Sequence, residues 1–150
     1  MRDLISNIQL IRGAVQTLSG TTANASALID RRGFDSLAIY LETGTVTDAG
    51  AAAGFTMVLQ HCDTTEADDF VDVDSADLVP NSDGNTTVSV TADGDDNKLI
   101  GGVGYVGSKR YVRAEITGTT ATDAAVQILA VLGRANNSPV DSTGTTTAST

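Results

Sequence analysis

NKLIGGVGYVGSKRYVRAEITG (97–118) divides into two apolar runs around a turn. Leu99 to Tyr105 is apolar and glycine-rich, and Gly107-Ser108 supplies turn residues. From Tyr111 to Ile116 the chain alternates, with Val112, Ala114 and Ile116 on one face and Tyr111, Arg113 and Glu115 on the other. A period of two with a turn between two runs is the signature of a β-hairpin, so these segments are expected to pair with each other.

Working outward, the same period recurs. Phe34 to Leu41 places Leu37, Ile39 and Leu41 on one face and Ser36, Ala38 and Tyr40 on the other. Phe55 to His61 aligns Phe55, Met57 and Leu59. The small-residue stretch Thr43 to Gly54 between these two strands reads as a loop of hairpin chemistry, so they are expected to be partners. Thr86 to Ala92 alternates with Val88, Val90 and Ala92 inward. Ala124 to Leu132 is apolar on both faces, as expected of a strand central in a sheet or buried between layers. Turns are expected at Pro80–Asn85 and Ala92–Asn97, a corner at Arg31-Arg32-Gly33, and a polar loop at Thr21–Ser26. A short strand at Phe70 to Val73 sits inside the acid-rich stretch Asp63–Asp77.

Residues 3–19 fit two templates. Leu4, Ile5, Ile8, Ile11, Val15 and Leu18 form a helical stripe, but Gly13 interrupts it and Ile8-Gln9-Leu10-Ile11 also suits a strand; the β character downstream favours extended structure. The chain is therefore expected to form about seven to nine short strands in an all-β, antiparallel β-sandwich, jelly-roll or immunoglobulin-like. Its parts are an N-terminal arm or first strand (1–20), the sandwich domain (21–133) and a flexible tail (134–150), the last because periodicity is lost after Gly133.

Composition agrees. A chain of 150 residues suits one domain, and with 41% hydrophobic residues, no Trp and six aromatics, the core must be built from aliphatic side chains. The net charge of −10 disfavours nucleic acid and anionic membrane as partners. No run approaches the roughly 18 apolar residues of a membrane helix. The opening MRDLISNIQL has neither an uninterrupted apolar stretch nor a small-residue cleavage site, so synthesis in a cytoplasm is expected.

No catalytic motif emerges, and no enzyme is expected. His61-Cys62 is the one place where two reactive side chains adjoin, yet on a strand they face opposite ways and cannot act as nucleophile and base. One His and one Cys make zinc unsuitable. Asp72-Val73-Asp74 and Asp93-Gly94-Asp95-Asp96 cluster hard oxygens but do not match an EF-hand loop, and a solvated acidic face is the expected reading, with no metal and no cofactor. Gly101-Gly102-Val103-Gly104 lacks the helix and the Lys-Ser/Thr of phosphate loops; glycines there are expected to mark a bulge or a close approach. The basic residues are few and clustered: Arg31, Arg32, Lys109, Arg110 and Arg113. They could meet an acidic patch on a partner or a second copy, or pair internally with Asp30, Asp35 and Glu115.

Ile29–Ser36 (IDRRGFDS), the Phe55–Asp63 strand ending in acids, Tyr105–Arg113 (YVGSKRYVR) and Ala130–Gly133 (AVLG), in that order, resemble a family of small virion proteins of tailed bacteriophages. Its members are capsid decoration, or cement, proteins with a β-sandwich fold, and the likeness spans most of residues 8 to 139. The resemblance implies a non-enzymatic role on the capsid exterior, a major capsid protein as partner, and a homo-oligomer, dimer or trimer. It carries over no catalytic residue. Other classes kept in view are a neck, tail or fibre-associated sandwich and a carbohydrate-binding module, the latter disfavoured by the absence of Trp.

Overall fold

A computed structural model describes residues 4–136. Eleven strands follow in order: β1 (Gln9–Ser19), β2 (Ala23–Ala25), β3 (Ile29–Asp30), β4 (Phe34–Asp48), β5 (Phe55–Cys62), β6 (Val71–Asp72), β7 (Leu78–Val79), β8 (Val88–Val90), β9 (Leu99–Tyr105), β10 (Tyr111–Thr117) and β11 (Asp123–Ala135). The helical elements among the described residues are two single turns of 3-10 helix, Ala67–Asp69 and Ser75–Asp77, either side of β6. The expected all-β sandwich is what forms: a five-stranded sheet β1-β11-β4-β9-β7 and a six-stranded sheet built on β2-β10-β5-β6, with β3 beside β10 and β8 beside β5. Every pairing is antiparallel.

Alternation supplies the core. Leu37, Ile39 and Leu41 of β4, Val103 and Tyr105 of β9, and Ala124, Val126, Ile128, Ala130 and Leu132 of β11 turn inward from the first sheet. Phe55, Met57 and Leu59 of β5 with Val112, Ala114 and Ile116 of β10 meet them from the second. The driving force is the apolar area removed from water between two layers about 10 Å apart.

Both expected hairpins are overturned. β9 pairs with β4 and β7, whereas β10 pairs with β5, so the segment 106–110 crosses between the sheets. β4 and β5 part in the same way: β4 lies between β11 and β9, and β5 beside β10. Two strands with one apolar face each can lie side by side in one layer or face each other across the core, and alternation is the same in both. Backbone conformation marks the second crossover. Gly54 has φ +65°, and a Cβ there would collide with the Val90 carbonyl, so only glycine allows this close approach.

The expected loop Thr43–Gly54 is shorter than the sequence implies, because β4 runs on to Asp48. Its far end is held by side chains of the 93–98 turn: Val46 N–H donates to Asp96 Oδ1 at 2.5 Å, Ala49 N–H to Asp93 Oδ1 at 2.9 Å, and the Thr43 hydroxyl accepts Lys98 N–H at 3.1 Å. Acceptors supplied by carboxylates let a strand continue without a full ladder. Thr21–Ser26, expected as loop, contains β2, paired to Glu115–Thr117 of β10. Residues 9–19 are extended, as favoured. The expected strands at 70–73 and 86–92 shrink to β6 and β8, while β11 continues to Ala135. The expectation of a flexible tail concerns residues that from 137 on lie outside those described.

Candidate functional site

Two surfaces stand apart from the acidic exterior. The first is a corner at one end of the sandwich, where the turn after β3 meets the 106–110 crossover. Arg31 is half-buried there. Its Nη1 donates to the Gly107 carbonyl (2.5 Å) and the Lys109 carbonyl (3.0 Å), and its guanidinium stacks 4.9 Å from the Tyr105 ring centre. Arg31 thus ties the crossover to the strand before β4. Arg32 is exposed; its backbone N–H donates to Asp30 Oδ1 at 3.0 Å.

Lys109 and Arg110 are ion-paired. Lys109 Nζ lies 2.6 Å from Asp63 Oδ2, and Arg110 grips Asp30 with Nε (3.1 Å) and Nη2 (2.7 Å) while lying 4.7 Å over the Tyr111 ring. These hydrogen bonds hold the Asp30 and Asp63 carboxyls below the usual carboxylate range and raise Lys109 and Arg110 in turn. Together Arg31, Arg32, Phe34, Ser108, Lys109 and Arg110 line an open cavity of about 200 Å³. Four of the five basic residues singled out in the sequence therefore converge. Arg113 does not join them: it lies beside β5, its Nε donating to Gln60 Oε1 (2.8 Å) and its guanidinium stacked 4.2 Å from the Phe70 ring centre. Of the internal partners considered from sequence, Asp30 is used; Asp63, not among them, takes Lys109.

The second surface is the outer face of the five-stranded sheet. Register places Leu10, Val131, Ala38, Gly104 and Val79 in one row across all five strands, and Arg12, Leu129, Tyr40 and Gly102 in the next. Neither row contains a carboxylate, in a chain that has 19. Leu10 (48% exposed), Val79 (46%), Val15 (59%) and Leu99 (62%) stand open on this sheet. The glycines of β9 belong to this packing. A Cβ on Gly102 would lie 2.5 Å from the Tyr40 ring, and one on Gly104 would lie 2.9 Å from Val79 Cβ. Of the bulge or close approach expected from sequence, Gly102 and Gly104 serve close approach, and the register shifts beside Gly101. This face was missed in the sequence as a site, although the double-sided apolar pattern of β11 was its signal.

Sites weighed from sequence fall elsewhere. His61 and Cys62 project to opposite faces of β5: His61 Nδ1 meets the Tyr105 hydroxyl at 2.9 Å, and Cys62 is buried with Phe70 and Tyr111. Asp93 and Asp96 are engaged as acceptors for β4, and Asp95 pairs with Lys98 at 2.8 Å. No group of three His, Cys, Asp or Glu that could hold a metal gathers among the described residues. Phe55, Phe70, Tyr105 and Tyr111 are buried, and Phe34 and Tyr40 partly so.

The architecture has a distant likeness among solved structures. It is similar to the crystal structure of the SPBc2 prophage-derived protein YomS. The TM-score is 0.48 at 9% identity, over 87% of this chain and 98% of that one. No family model matches the sequence, and no curated protein matches it.

Proposed function

We propose that this protein is a non-enzymatic virion component that lies against the outer surface of a phage capsid and stabilises contacts between major capsid protein subunits. The observation that carries the reading is the outer face of the β1-β11-β4-β9-β7 sheet: two registered rows without a carboxylate, with Leu10 and Val79 open to solvent. Surface that exposes apolar side chains and carries no carboxylate, on an otherwise acidic molecule, suits contact with another protein. The resemblance of the 29–36, 55–63, 105–113 and 130–133 segments to capsid decoration proteins supports it from the sequence. A sandwich core of aliphatic residues suits a part that must transmit load without moving. Many copies on a symmetric lattice would turn a modest contact into high avidity, and an acidic exterior would keep unassembled copies apart.

Quantitative protein composition of purified heads tests this. Hundreds of copies per particle, releasable without destroying the shell, are expected. A few to dozens of copies would place the protein in a neck, tail or fibre instead.

A further inference from the structure

We propose that the cavity between the Arg31-Arg32 turn and the Ser108–Arg110 crossover is a carboxylate-recognition site that takes an acidic side chain from a peptide segment of a partner protein. It goes beyond the capsid reading and shares no residue with the two carboxylate-free rows, so either can fail alone.

Positive charge at the site exceeds the negative charge paired with it. Four cationic side chains line the cavity, but only Lys109 and Arg110 are matched, by Asp63 and Asp30. Among the described residues neither Arg31 nor Arg32 has an ion pair. Arg31 donates instead to two backbone carbonyls, and its Nε is buried without a hydrogen-bond partner. A half-desolvated guanidinium held by two carbonyls and the Tyr105 ring keeps its full charge, and a carboxylate is the group that neutralises it with directed hydrogen bonds. The two existing ion pairs hold Lys109 and Arg110 at the rim, so the incoming group meets a prearranged site.

Size and surroundings choose the ligand class. About 200 Å³ suits one or two side chains. Asp30 and Asp63, held in the rim, and the net charge of −10 repel an extended phosphate backbone, while a single carboxylate still finds two unmatched arginines. Phe34 provides an apolar wall for the methylenes of a glutamate.

The test uses the full chain labelled with 15N and a blocked Gly-Ser-Glu-Ser-Gly peptide, with a single carboxylate, as probe. The peptide should shift the backbone amides of Arg31, Arg32, Ser108, Lys109 and Arg110 saturably. Arg32→Ala should weaken binding at least tenfold with an unchanged melting temperature, and Arg32→Glu should abolish it. Arg32 is the position to vary because Arg31 also holds the crossover together. Absence of shifts at these amides overturns the proposal, as do equal shifts from the same peptide with glutamine in place of glutamate, or equal shifts from inorganic phosphate, which would make this a general anion site. Concentration-dependent shifts of the same amides without peptide would overturn it in favour of a second copy of this chain. Asp141 is the one acidic residue of the sequence beyond position 136, and shifts produced there by Asp141→Asn alone would overturn the proposal in favour of the chain's own acid.

Discussion

The Tyr105 hydroxyl accepts the Lys109 N–H at 3.1 Å and lies 2.9 Å from His61 Nδ1, while the ring faces the Arg31 guanidinium and stands perpendicular to the His61 ring. One buried phenol thus joins both sheets and the crossover between them. Tyr105→Phe leaves the Lys109 N–H without its acceptor, and a loss of about 1–2 kcal/mol is expected in urea unfolding. Burial pushes the phenol pKa up. A raised folded-state value means the contribution is intact below the unfolded value near ~10 and is lost as pH rises through the folded one. The variant should accordingly flatten the alkaline side of the stability profile. The opposite sign applies at Asp30, whose carboxyl is held low first of all by its hydrogen bond from Arg110. Its contribution is present above the unfolded value of ~3.9 and fades as pH falls through the lower folded one. Asp30→Asn should remove that acid-side dependence, with an effect of no more than about 1 kcal/mol because the pair is open to solvent.

Elements are held together by features no single strand displays. The 93–98 turn clasps the end of β4 through Asp93 and Asp96, so these acids act as structural acceptors. Asp96→Ala should cost about 1 kcal/mol and speed hydrogen exchange at the Val46 amide. The melting temperature should not move between EDTA and millimolar calcium, since one oxygen of each of Asp93, Asp95 and Asp96 is already engaged. In β9, Gly102→Ala should destabilise by about 1–3 kcal/mol through collision with the Tyr40 ring. Adding Tyr40→Ala should recover part of that loss, and a double-mutant cycle checks the coupling.

At the scale of the molecule, acidic charge is spread over loops and the outside of the six-stranded sheet, whereas the five-stranded sheet keeps two rows free of it. Leu10→Glu combined with Val79→Glu should cost no more than about 1 kcal/mol per site, because both side chains are about half exposed. The same pair should abolish binding to purified heads, measured by co-sedimentation. Retained binding would remove the apolar face from the capsid reading. Charge reversal at Arg32, by contrast, should spare head binding if the sheet face alone makes that contact.

Strand positions were legible in the sequence because a period of two is local: Leu37, Ile39 and Leu41, or Val112, Ala114 and Ile116, announce a buried face whatever lies opposite. The double-sided pattern of Ala124 to Leu132 likewise marked β11 as an inner strand of its sheet, and it lies between β1 and β4. What the amino-acid order left open was the partner of each strand, since ladder hydrogen bonds join backbones and carry no side-chain label. Two neighbouring runs that read as a hairpin, β9 and β10, went to different sheets, and the five residues between them became a corner. That corner is why Arg31 and Arg32 meet Lys109 and Arg110, some 75 to 80 residues away along the chain. Residue type set the charge at both places; only the packing of two layers brought those charges to one cavity.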